Sequence, residues 1–171
     1  QRLWTQAVKD RGAVGVISGT TIIFERHGGI GGHQFSLVSN NSGAQITTSG
    51  QYTAGPILHV TDTIRVTDSV GNFADATAFV TGPTSKMAFL QQPTTASAGQ
   101  SITPPIRVAL QDQDGFTVES ATNTIVLTIA NPPGGTLGGT TSRAAVAGVA
   151  TFDNISIDQV GTGYTLRAGT N

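Results

Sequence analysis

The sequence predicts an all-β fold, two antiparallel β-sandwiches in tandem, on three observations. Apolar residues recur at every second position in short runs, the mark of strands half buried on a core. Clusters of Gly, Asn and Pro cut these runs at short intervals, as turns do. After residue 12 no segment shows a helical period.

Residues 1–12 stand apart from the rest. They contain Arg2, Lys9, Asp10, Arg11 and the only Trp, Trp4, with no strand alternation. They read as a short helix or as a lead-in from a preceding domain, with Trp4 as a candidate aromatic anchor. The apolar run Ala13-Val14-Gly15-Val16-Ile17 follows, and residues 1–17 are taken as a lead-in or docking segment.

Strands of a first domain, residues 18–82, are expected at 20–26, 33–38, 44–48, 51–54, 61–67 and 73–81, with Ala13–Ile17 bringing the set to about seven, the complement of a small sandwich. In the fifth, Ile64 and Val66 face inward while Thr63, Arg65 and Thr67 face out; in the sixth, Ala74, Ala76, Ala78 and Val80 share the inner face. Asp68-Ser69-Val70-Gly71-Asn72 makes the hairpin between them, Gly71 taking the left-handed position. Asn40-Asn41-Ser42-Gly43 is another turn. Gly82-Pro83-Thr84-Ser85 marks the boundary.

The second domain, residues 83–171, opens with 86–91. Pro104-Pro105 leads into 106–111, where Ile106, Val108 and Leu110 point inward. Asp112-Gln113-Asp114-Gly115 turns the chain, 124–130 alternates through Ile125, Leu127 and Ile129, residues 131–135 and 138–139 are loops, and 142–147 is a strand. Two runs, Val149–Ile157 and Tyr164–Ala168, then meet at a Gly-broken corner. Phe152 belongs to the core, and Tyr164, Leu166 and Ala168 share a face. Tyr164 follows the corner that Gly161 and Gly163 permit, so its ring can bury and its hydroxyl return to nearby backbone.

Composition narrows the function classes. Only 11% of the 171 residues are charged, against about 25% in typical domains, and the net charge of −1 gives no electrostatic footprint for nucleic acid or an anionic membrane. The chain has no Cys, which excludes disulfides, thiolate metal sites and Cys nucleophiles. No apolar run reaches the roughly 20 residues of a membrane span. A first residue of Gln1 suggests a processed product or a piece of something longer.

Several motifs together resemble a bacterial immunoglobulin-like repeat. In the second domain these are Met87-Ala88-Phe89-Leu90-Gln91-Gln92-Pro93, Ala98-Gly99, Val108–Asp112, Gly148-Val149-Ala150-Thr151-Phe152 and Gly163–Ala168. The first domain is similar to a related class through Phe35-Ser36-Leu37, Asn41–Ala44, Gly50–Gly55 and Asp62–Ser69 with Gly71-Asn72. The resemblance implies stacked domains of an extracellular bacterial stalk, adhesin or surface polymer, with no cofactor. Its partners would be other copies or neighbouring domains, or glycans. Such repeats continue past the Tyr164 strand into one more strand, which the second domain lacks before Asn171. Either the chain is a fragment, or a strand from another copy fills the gap, with Ala13, Val14, Val16 and Ile17 as the candidate donor segment.

Chemistry has few candidates. His27 and His33 flank a Gly-rich loop, but nothing brings in the further ligands a zinc site needs. Asp112 and Asp114 match part of a calcium loop; a hairpin whose carboxylates accept backbone N–H groups explains them as well. Glycoside hydrolysis needs two facing acids, and the sequence singles out no pair. Lys86 is the lysine to examine for an isopeptide crosslink. Tyr52, Phe73, Phe79 and Phe116 are the aromatics that could meet sugars.

Overall fold

The computed structural model describes residues 4–5, 13–131 and 134–170. The chain divides into two compact units, Gln1–Pro83 and Thr84–Asn171. Every regular element among the described residues is a strand, and among them no helix is long and apolar enough to cross a membrane.

In the first unit the strands are β1 (Trp4–Thr5), β2 (Ala13–Ile17), β3 (Thr21–Ile23), β4 (Arg26–His27), β5 (His33–Ser39), β6 (Gln45–Ile46), β7 (Gln51–Thr53), β8 (Val60–Asp68) and β9 (Phe73–Thr81). One sheet has the order β2-β9-β8-β5 and faces a second of order β3-β7-β6; β1 pairs with β4. The architecture is that of an immunoglobulin-like β-sandwich. Alternation dictates the packing: along β8 the even positions Asp62, Ile64, Val66 and Asp68 are buried and the odd ones are partly or fully exposed. Ile64, Val66, Ala78 and Val80 have no more than traces of exposure and meet Phe24, Phe35 and Tyr52 in one core. Each large apolar side chain buried there stabilises the unit by about 1.5–3 kcal/mol. Phe24 and Tyr52 meet edge to face at 5.8 Å, the geometry the ring quadrupoles favour.

The lead-in expected over residues 1–17 is in part a strand of the first sandwich, the one counted in its set of about seven. Residues 13–17 form β2, which runs parallel to β9 in the register Ala13↔Thr77 to Ile17↔Thr81, with Val16 1% exposed. Burial of Val14 and Val16 against the core explains the docking. Trp4–Thr5 is a strand rather than part of a helix; the rest of the expected helix lies outside the described residues.

The second unit contains β10 (Lys86–Gln91), β11 (Ile106–Gln111), β12 (Thr124–Asn131), β13 (Leu137–Gly138), β14 (Ser142–Ala144), β15 (Val149–Phe152), β16 (Ser156–Ile157) and β17 (Thr165–Thr170). Its sheets have the orders β10-β11-β15 and β14-β12-β17, with β13 paired to β16. Ile106, Val108, Leu110, Ile125, Phe152 and Ile155 form the interior, each at most 1% exposed. The run expected as one strand over Val149–Ile157 is two: Asp153-Asn154 break it, β15 pairing with β11 and β16 with β13. Leu137–Gly138, of which Gly138 is expected in a loop, supplies the partner for β16.

Both units use the same turn. The Asp68 carboxylate accepts the N–H groups of Val70 at 3.0 Å and Asn72 at 2.9 Å, and Asp112 accepts those of Asp114 at 3.1 Å and Phe116 at 3.0 Å. Gly71 (φ 87°) and Gly115 (φ 96°) take the left-handed position in each, a conformation that costs little only for Gly. Asp68 also accepts the Ile30 N–H at 3.0 Å and the Asn72 side-chain amide at 3.0 Å. The Asn72 amide first, with those backbone donors, holds its pKa down at about 2 against the opposing effect of burial. A depressed folded-state pKa gives stability that is complete above the unfolded value and lost as pH falls through the folded one. Melting of the wild-type chain is therefore expected to fall more steeply between pH 4 and pH 2 than that of Asp68→Asn; parallel profiles would contradict this hydrogen-bonded assignment.

Candidate functional site

The most constrained polar cluster lies inside the first unit, on residues the sequence reading placed elsewhere or passed over. Period-two alternation in β8 puts Asp62 on the same inner face as Ile64 and Val66, and it is 0% exposed. Its Oδ1 accepts the N–H groups of Asn41 at 2.6 Å and Ser42 at 2.9 Å. Its Oδ2 accepts the Tyr52 hydroxyl at 2.6 Å and the Ser42 hydroxyl at 2.5 Å. Ser42 Oγ in turn accepts the Gly55 N–H at 3.1 Å. One carboxylate thus joins the turn at residues 40–43, β7 and β8.

Burial alone would raise the Asp62 pKa, but hydrogen bonds from Ser42 and Tyr52 and from the Ser42 and Asn41 backbone outweigh it and hold the carboxyl below its usual range. Burial, and then the neighbouring Asp62, push the Tyr52 phenol up, so it stays a protonated donor. Gly55 closes the cluster because a Cβ there would run into the Ser42 carbonyl. Four donors fill the carboxylate's lone pairs, so the arrangement serves to hold loops and leaves no lone pair aimed at a ligand. Tyr52, expected among the sugar-facing aromatics, is 0% exposed. The signal for the network was present in the sequence as an acid at an inward position of an alternating strand.

The other candidates take simpler places. Asp112 is buried and, as in the hairpin reading, occupied by backbone donors; Asp114 is exposed beside it. His27 lies on β4, and His33 on β5 meets the Phe35 ring edge-on at 5.8 Å. Lys86 is exposed and its Nζ donates to the Gln113 carbonyl at 2.9 Å, so it lacks the burial an isopeptide donor needs. Phe73 is 57% and Phe116 43% exposed; the Arg65 guanidinium covers Phe73 at 3.8 Å from the ring centre while forming an ion pair with Asp75 at 2.7 Å. Phe79 is half-buried.

The corner at Tyr164 forms as expected in one respect and differs in another. The hydroxyl returns to the Gln159 carbonyl at 3.2 Å, but that bond is exposed and the ring only half-buried. The reason is a cleft of about 650 Å3 in the second unit, walled by residues 93–98 on one side and 159–164 with Leu166 on the other. Phe152 is fully buried away from it, Leu166 lines it, and Gly163 (φ 78°) opens the turn above it. Beside the cleft, β17 pairs with β12 on one edge, and among the described residues no strand covers the other. Ala13, Val14, Val16 and Ile17 are not free to donate to that edge, because β2 is docked on β9 of its own unit.

No protein-family model and no curated protein matches the chain. Among solved structures it is similar to a β-glycosidase from Bacteroides vulgatus, with 15% identity and a TM-score of 0.46 over 99% of this chain and 23% of that one. Similarity extends to Bacteroides uniformis β-glucuronidase 3, at 12% identity and TM-score 0.40 over 98% of this chain and 23% of that one. The N-cadherin EC1-4 structure from Drosophila matches at 10% identity and TM-score 0.38, over 99% of this chain and 46% of that one. The chain spans less than half the length of each.

A double-mutant cycle tests the Asp62 network. Tyr52→Phe is expected to cost about 1–3 kcal/mol, and Asp62→Ala more than about 3 kcal/mol because it strands several buried donors. In the Asp62→Ala background Tyr52→Phe should become nearly neutral, a coupling measurable by urea unfolding. Additive effects would show that the two side chains do not share one bond.

Proposed function

We propose that this chain is a non-catalytic structural or adhesive module of a bacterial extracellular protein. The observation that carries the reading is how the sandwiches use their buried acids. Asp62, Asp68 and Asp112 are each at most 6% exposed, and each accepts loop backbone N–H groups of its own unit, Asp62 adding the Tyr52 and Ser42 hydroxyls. Acids used this way tie loops to strands and stiffen the domains. A low-charge surface without Cys suits a chain that folds outside the cell without disulfides. The motif resemblance to immunoglobulin-like repeats supplies the stalk, adhesin or filament setting, with other copies or neighbouring domains as partners.

A carbohydrate-binding accessory module is the second reading. It draws on Phe73 and Phe79, two aromatics on the outward face of β9, with the Arg65–Asp75 pair between them in the sheet. The covering guanidinium takes one face of the Phe73 ring, which weakens it as a sugar platform.

Stretching single molecules by their termini separates the readings when combined with a glycan array. A structural module is expected to unfold one unit at a time against measurable resistance and to refold on release, with no array signal. Unfolding without resistance would contradict the structural reading. Glycan binding abolished by Phe73→Ala would put the carbohydrate reading in its place.

A further inference from the structure

The chain enters and leaves the first sandwich along two strands that lie side by side, coming into β2 at Ala13 and going out of β9 at Thr81. Among the described residues of this unit the β2–β9 pairing alone is parallel, and the others are antiparallel. In an antiparallel hairpin the two outer ends lie together, so pulling them apart opens the ladder one bond at a time. In the parallel pair Ala13 and Thr81 lie at opposite ends, and tension between them runs along both strands in opposite senses. Sliding must then break the pairings from Ala13↔Thr77 to Ile17↔Thr81 together, with the bond from the Ser18 N–H to the Thr81 carbonyl at 2.9 Å beyond them. Apolar packing allows the ladder one register. Val16 is 1% and Val80 0% exposed, and Val14 packs against the same core. A slip of one residue would turn Val14 and Val16 to the opposite face of the sheet, so no half-slid arrangement keeps the core. On the other side of β9, β8 places Asp62 opposite Ala78. The Asp62 carboxylate accepts the Tyr52 hydroxyl from β7 and backbone N–H groups from the turn at residues 40–43, which anchors the strand beside the ladder to the second sheet.

We propose that β2 and β9 form a shear clamp: under tension along the chain, their parallel ladder carries the load across the first unit and holds it folded until the whole ladder fails at once. The clamp is a conformational device that resists force along the strands and yields readily to force across them. Forced unfolding is governed by the unfolding rate, so resistance depends on this one ladder rather than on the total stability of the unit. The inference rests on the structural-module reading and names the contact by which such a module bears load.

The test pulls the full chain in an optical trap by pairs of introduced thiols, which are unique handles because the chain has no Cys. Ala13→Cys with Thr84→Cys loads β2 and β9 along their length. Ala13→Cys with Val70→Cys pulls β2 away from the hairpin end of β9, across the ladder. Thr20→Cys with Thr84→Cys attaches beyond β2 and takes that strand out of the load path. All four positions are exposed, and melting curves matching wild type confirm that the variants fold. The first pair is expected to unfold at a force several-fold higher than either of the others. An unfolding force that stays the same when the handle moves from Ala13 to Thr20, or from Thr84 to Val70, overturns the clamp. Equally high forces for all three pairs would do so while leaving the structural-module reading in place; absence of resistance in all three would overturn both.

Discussion

A carboxylate placed on the inner face of a strand must find donors there or unfold the strand that carries it. Asp62 meets this constraint with two backbone N–H groups and two hydroxyls, and much of the first unit follows. The turn at residues 40–43 is fixed because its amides point at Asp62. Tyr52 is buried because its hydroxyl has a partner at the centre of the sandwich. Gly55 is required because the chain passes against the Ser42 carbonyl. Hydrogen bonds to a charged acceptor are about twice as strong as neutral ones, so a fold with few ions on its surface concentrates electrostatic specificity in one buried place.

Among its described residues the second unit is held by apolar packing and by acids at its turns. Asp158 accepts the N–H and hydroxyl of Thr136, the Asn154 side chain ties Thr140, and Asp112 closes its hairpin. The units share a grammar of strands and turns and part at one edge. Sandwiches generally cover or charge their exposed edges; β17 instead presents Arg167 and a half-covered Leu166 beside an open cleft.

Most of the strand plan was legible from period-two alternation and turn residues, because both are local properties. The inward sets on β8, β9, β11 and β12 were read correctly from Ile64, Ala76, Ile106 and Ile125 outward along their strands. What escaped the sequence depends on distant partners. Ala13–Ile17 looks like an independent run because its parallel pairing is with residues 77–81, more than sixty positions away. Tyr52 is as plausible on a surface as in a core until Asp62 is placed beneath it. Leu137–Gly138 sits in a Gly-rich loop whose strand character comes entirely from Ser156–Ile157. Tyr164 was placed at the right corner with the right hydrogen bond, but its burial depends on whether the edge beyond it is covered.

Native-state hydrogen exchange followed by NMR tests the Asp62 account most directly, since it reads each donor separately. The Asn41, Ser42 and Gly55 amides lie in turns and would exchange quickly if those turns were ordinary surface loops. The account expects them to be protected to the same degree as the Ile64 and Val66 amides in the centre of β8, opening only when the unit unfolds globally. Exchange of these three amides at rates typical of solvent-exposed loops, with β8 still protected, would contradict it.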